Sequence, residues 1–308
     1  MNRFRQISFI STGLTYLLIF VGGMVRVAGA GMGCPDWPKC FNRWIPPTSI
    51  DQLPDYIDPA KFNIVLAWIE YCNRLFGAVV GITITMTAFY ALKDYKHISR
   101  IKWAALAAFF LTLVEGWLGA VLVHTVLNPI TITLHLLLAL IIVMLLLYAA
   151  QESYYIENPD TEKNSQYPQK LDWAFGVLAG LLLVEVILGT EIRGGLEMIR
   201  KDNPMVDSIF LLKMLGPFKY IHTILGFVIT GIAGWIWFKC VKQSQNPSSI
   251  MVQSSTAILL LILSQIIMGE VLVFFEVIPL IQLFHMWVAS WILGLVMIQY
   301  TAWKQSQV

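Results

Sequence analysis

Charge is scarce in this chain. Asp, Glu, Lys and Arg make up 13% of its 308 residues, whereas 57% are hydrophobic. A soluble domain needs a more polar surface than that, so the composition points to a polytopic membrane protein. The formal net charge of +2 is too small to indicate a nucleic-acid partner. Cysteine and histidine are also few, at 4 and 5 copies. No C-x-x-C-H is present to attach a haem covalently, and no cysteine or carboxylate cluster accompanies the histidines to make a zinc or di-iron site. No small-residue cleavage site follows the opening "MNRFRQ", which runs into an apolar span and reads as an uncleaved first helix.

What the chain does have is long apolar runs. Eight meet the requirement of roughly 20 residues per span, near 8–27, 64–91, 103–123, 130–150, 171–190, 217–239, 253–273 and 281–303. Backbone groups in lipid must be satisfied within their own segment, so the expected fold is all-α, an integral membrane protein with eight transmembrane helices. Segment 92–102, "LKDYKHISRIK", concentrates lysine and arginine, and the short loops after spans three and seven carry neither. The positive-inside rule then puts 92–102, 151–170 and both termini in the cytoplasm, and 28–63 and 191–216 outside a bacterial-type cytoplasmic membrane.

An internal repeat organises these spans. "LGAVLVHTVLNPITITLH" at 118–135 lies over "MGEVLVFFEVIPLIQLFH" at 268–285, matching Gly119 with Gly269, Pro129 with Pro279 and His135 with His285. "EYCNRLFG" at 70–77 lies over "KYIHTILG" at 219–226, pairing Glu70 with Lys219, Asn73 with His222 and Gly77 with Gly226. A weaker match sets "GGMVR" at 22–26 over "GTEIR" at 189–193. The expected organisation is two pseudo-symmetric four-helix bundles, 1–150 and 171–308, joined by a cytoplasmic linker at 151–170.

Three histidines follow the repeat. His222 and His285 are single polar residues in apolar runs, at matching depth in two even-numbered spans. Such residues usually face the bundle interior, and two neutral imidazoles from facing helices suit axial ligation of a haem iron. The first half offers His135 and Asn73 at those positions, and an amide is a poor iron ligand. The second half is therefore expected to hold a haem between two histidines, the first a haem with one protein ligand. His124, near the outer end of span three, is an outside candidate for the missing ligand. His97 lies in the basic loop and reads as solvated.

The duplicated unit, its histidines, the "GGMVRVAGAGMGCPDWPKC" segment and the E-Y-x-[HN]-R-L-x-G pattern at 70–77 together resemble the haem A synthase family over essentially the whole chain. The resemblance implies an enzyme that oxidises a methyl group of haem O to the formyl group of haem A by successive hydroxylations. It implies haem O as substrate, a haem b in 171–308 for electron transfer, and catalysis in 1–150. Haem O synthase and the assembly of haem-copper oxidases would be its partners. The electron donor and any homo-oligomer are left open. The family's haem histidines fall on His135, His222 and His285, its fourth on Asn73, its important glutamate on Glu70 and its first-loop cysteine pair on Cys34 and Cys40. A disulfide is the default for that pair on the oxidising side of a membrane, as a staple over the first-half pocket or as a redox partner.

Two readings of Glu70 stand beside one another. It shares a helix face with Asn73 and Arg74, so it forms a structural ion pair with Arg74 or handles protons at the substrate edge. Arg74 then neutralises it or holds a haem propionate. Arg26 and Arg193 are equally placed to anchor propionates or to snorkel. Glu115 and Glu185 share a "VExxLG" pattern without an assigned partner. Asn73 leaves one iron position open and offers a hydrogen bond there. The competing functions are a di-haem membrane cytochrome b, which needs no Glu70, and a non-catalytic haem-binding assembly factor.

Overall fold

A computed structural model describes residues 2–55, 57–206, 208–275 and 277–307. The apolar runs fold as α1 (Arg3–Val27), α2 (Ile64–Asp94), α3 (Ser99–His124), α4 (Pro129–Glu157), α5 (Asp172–Asp202), a short α6 (Ser208–Met214), α7 (Phe218–Trp237), α8 (Ser249–Phe274) and α9 (Pro279–Ser306). Eight of these are long and apolar enough to cross a membrane, as expected for an integral membrane protein. Helix starts are set locally. Asn2, Asn63 and Ser248 cap α1, α2 and α8 by accepting from the first turn. Asn128 caps α4 just ahead of Pro129, whose missing N–H costs nothing in a first turn.

Packing follows the repeat order. In the first half α1 lies against α2 and α4, and α3 against α2 and α4; in the second, α5 lies against α7 and α9, and α8 against α7 and α9. Contacts of α1 and α4 with α9, and of α4 with α5, close the seam between halves. This arrangement is consistent with the internal repeat. The largest core cluster fills the seam and the second half, from Ile19 and Leu140 to Phe175, Ile236 and Ile292. Large apolar residues such as Ile82, Phe110, Trp117 and Leu260 point outward, where lipid replaces water as solvent. Small polar pairs join helices inside. Ser11 meets Thr87 at 3.0 Å, and Gln299 donates to Ser255 at 2.6 Å.

Two helices exceed their apolar runs. α4 continues to Glu157, so residues 151–157 of the expected linker are helical. α5 continues to Asp202, and Arg193 pairs with Glu197 one turn on. Apolar windows miss both extensions because charged residues interrupt the apolar ones in each, Glu152 and Glu157 in the first and Glu191, Arg193, Glu197, Arg200, Lys201 and Asp202 in the second.

Both termini and the linker gather at one end. Arg5 pairs with Glu157 at 3.0 Å, and Trp303 donates to the carbonyl of Pro168 at 2.9 Å. Within the linker Glu162 is 1% exposed and accepts from Tyr155 at 3.4 Å and Tyr167 at 3.2 Å. Burial pushes its carboxyl above the ordinary carboxylate range, against the opposing hydrogen bonds. A raised folded pKa means the fold binds this proton more tightly than the unfolded chain does. Its contribution is favourable at low pH and is lost as pH rises through the folded value. Glu162→Gln is therefore expected to raise the amide protection factors of 158–167 at pH 8, after correction for base-catalysed intrinsic exchange, and to remove the Glu162-linked pH dependence of those factors. Lower protection factors in the variant would contradict this.

Candidate functional site

A partly open cavity of about 260 Å³ lies among the second-half helices, with Gly23, Arg26 and Val27 of α1 and Leu136 of α4 also on its wall. His222 from α7 and His285 from α9 face each other across it, ring centres 6.2 Å apart and planes at 61°. Helices α5 and α8 each bring a glycine beside one ring, close enough that an added Cβ would be in ordinary contact. A Cβ at Gly189 or Gly269 would stand 3.5 Å from His222 Cε1 or 3.6 Å from His285 Cε1. Glu185 of α5 places Oε1 3.2 Å from His222 Nδ1, and its Oε2 is buried with no partner. Gln265 of α8 lines the same cavity. At one rim Arg26 and Arg193 converge on Glu197, at 3.3 and 2.8 Å, and Arg193 also donates to Gln282. The cavity is thus apolar along its walls, with imidazoles inside and guanidinium groups at its edge.

The first half is built differently. Cys34 and Cys40 form a disulfide in the 28–63 loop. Glu70 is 5% exposed, and its Oε2 accepts from the backbone N–H of Cys34 at 2.7 Å. Its Oε1 pairs with Arg74. Arg74 in turn donates to the carbonyls of Asp36 at 2.6 Å, Lys39 at 3.0 Å and Cys34 at 3.2 Å. Glu70 and Arg74 therefore bind the disulfide loop to the start of α2, and the ion pair is present. The repeat-equivalent residue Lys219 does a parallel job, donating to the carbonyl of Leu212 in α6 at 3.2 Å. Gly33 fits the same junction, because a Cβ there would lie 2.2 Å from the Leu66 carbonyl oxygen. Only a glycine lets the loop approach the helix backbone this closely.

His135 of α4 places Nδ1 against the Glu115 carboxylate of α3. Asn73 is partly buried, and its Oδ1 has no hydrogen-bond partner among the described residues. His124 is exposed at the end of α3, and His97 is exposed in the α2–α3 loop. Cys72 is exposed and Cys240 buried, both as free thiols. The structure thus brings His222 and His285 together, and separately Glu70, Arg74, Cys34 and Cys40. The carboxylate partners of His135 and His222 were missed as partners in the sequence. The recurring "VExxLG" was their one signal, and it does not show which helix each glutamate faces.

The fold and the two sites define a class: a helical membrane protein with a bis-histidine cavity in one half and a disulfide loop clamped over the other. The chain belongs to the COX15-CtaA family, described as cytochrome oxidase assembly protein, whose model matches residues 5–297. It is similar to the heme A synthase of Shewanella oneidensis, 31% identical over 56% of this chain and 53% of that protein. It is similar also to the heme A synthases of Staphylococcus haemolyticus, at 28% over 47% and 42%, and Geobacillus kaustophilus, at 27% over 44% and 40%. These matches span about half the length of each relative or somewhat less.

Proposed function

We propose that this chain is a haem A synthase, which oxidises a methyl group of haem O to the formyl group of haem A in the membrane. The observation that carries the reading is the facing pair His222 and His285 in an apolar cavity, within a family of oxidase assembly proteins. Two imidazoles on one metal at about 2 Å per bond have ring centres roughly 6 Å apart, and the observed 6.2 Å fits. Those residues would hold a haem b, with Arg26 and Arg193 at the rim for its propionates. Such a haem supplies one-electron exchange.

The first half is the proposed reaction site. His135 would hold the substrate haem O by one ligand, and Asn73 offers an amide at the opposite position. Glu70 and Arg74 fix the Cys34–Cys40 loop over that half, which excludes water and positions the substrate methyl. With dioxygen as oxidant, each of two hydroxylations would take up one O2, two electrons and two protons and release one water, carrying the methyl to the alcohol and then the diol. The electrons would come from the donor through the second-half haem, and the diol loses water to the aldehyde. Haem O reaches this site from haem O synthase, and the product goes to haem-copper oxidases; the termini and 92–102 lie in the cytoplasm, with the disulfide loop outside.

The test is expression in a host that makes haem O but no haem A, followed by extraction and chromatography of its haems. Haem A or its hydroxylated precursor is the expected product. Only haem B and unmodified haem O, with a working electron donor present, would contradict the reading and favour a haem-binding assembly factor.

A further inference from the structure

The two halves differ in where they place a carboxylate. His135 and His285 are repeat partners, and the residues beside them on the preceding helix are Glu115 and Gln265, which match at the same offset of 150. Glu115 approaches His135 Nδ1, whereas Gln265 is neutral and its Nε2 has no partner among the described residues. The second half instead puts its carboxylate on the other histidine. Glu185 Oε1 lies 3.2 Å from His222 Nδ1, within ion-pair distance, while among the described residues neither His222 Nδ1 nor His135 Nδ1 has an aligned hydrogen-bond partner. Its counterpart in the first half is Leu18, as the repeat-paired glycines show. A Cβ at Gly226 would stand 3.5 Å from Glu185 Oε1, and one at Gly77 would stand 4.0 Å from Leu18 Cδ2.

These carboxylates are therefore not a shared packing feature of the repeat. In each half one carboxylate lies beside an imidazole, whereas Glu270 lines the second-half cavity and Glu70 holds the disulfide loop. Both carboxylates beside imidazoles are partly buried, with side chains 13% exposed at Glu115 and 20% at Glu185. A carboxylate on Nδ1 fixes the tautomer, leaves Nε2 for a metal and makes the ring a stronger electron donor.

Resting on the haem-binding reading above, we infer that Glu185 is a positioning residue for His222: it holds Nδ1–H, presents Nε2 to the iron and lowers the reduction potential of the haem held by His222 and His285. Glu115 acts in the same way on His135. The second-half iron thus has one strengthened ligand, His222, and one ordinary ligand, His285 beside Gln265. A stronger donor favours the oxidised iron, so the direction of the effect is fixed.

The experiment is a redox titration of the purified full chain with its bound haem, followed optically, with low-spin electron paramagnetic resonance as the check on ligation. Glu185→Gln keeps an acceptor for Nδ1–H but removes the charge. It is expected to retain the low-spin signal and to shift the midpoint potential upward. An unchanged or lowered midpoint with ligation intact would overturn the inference. Should E185Q fail to hold haem, Glu185→Asp restores the charge; a recovered low-spin signal with a midpoint near that of the unaltered chain supports the inference, and continued loss overturns it. Failure of the haem reading itself looks different, because the unaltered chain would then show no low-spin haem sensitive to His222→Ala.

Discussion

Glu70→Ala is expected to release the disulfide loop and to stop formation of oxidised haem O. The carboxylate is nearly inaccessible, and both of its oxygens are engaged, by Cys34 N–H and by Arg74. Its removal leaves a partly buried guanidinium without its counter-charge and a buried amide without its acceptor. Breaking a buried pair in this way costs on the order of 3 kcal/mol. If that free energy governs local opening of residues 33–40, the loop opens about a hundredfold more often. The readout is the rate at which Cys34 and Cys40 become labelled after mild reductant, beside the haem product. Glu70→Gln separates the two roles that the sequence leaves open. Glutamine still accepts from Cys34 N–H, so the variant is expected to keep most of the disulfide's protection and part of the turnover. Full loss of turnover with protection intact would assign Glu70 to proton transfer instead of loop positioning.

Gly33→Ala is expected to give the same phenotype while leaving Glu70 and Arg74 chemically unchanged. The added methyl would lie 2.2 Å from the Leu66 carbonyl oxygen and 2.4 Å from its carbon. Those are helix backbone atoms, which cannot swing away as a side-chain tip can. The loop must lift, and Cys34 N–H then leaves the 2.7 Å contact with Glu70. Faster labelling and reduced product are the expected outcome. Gly13→Ala serves as the control, because a Cβ there meets nothing within 4 Å. If G33A labelled no faster than G13A, the close seating of the loop on α2 would be wrong.

The parts of this protein legible in its sequence are those carried by local pattern. The eight spans follow from apolar runs of membrane length, and the spacing of Glu70 and Arg74 already places both on one helix face. The extension of α5 to Asp202 was not legible, because it depends on charged groups finding partners across helices, as Arg26 and Glu197 do. The break between α3 and α4 is marked by the gap between apolar runs and by Asn128-Pro129, but the left-handed conformation of its turn is not. Val126 and Leu127 adopt positive φ there, at 51° and 59°, with no glycine to announce it. The same limit applies at the sites. Repeat alignment pairs His222 with Asn73, yet it cannot show that Glu185 reaches His222 while Glu115 reaches His135. Likewise, the loop carbonyls that satisfy Arg74 become visible only when 34–39 is folded against α2.

The central claim is that one four-helix plan serves two chemistries: a haem held by two histidines in the second half and one held by a single histidine in the first. Low-spin haem resonance of the purified chain, compared with three single variants, tests this most directly. His222→Ala and His285→Ala are each predicted to abolish the bis-histidine signal, whereas His135→Ala leaves it in place. A bis-histidine signal that survived both second-half variants, or that vanished with His135→Ala alone, would contradict the account.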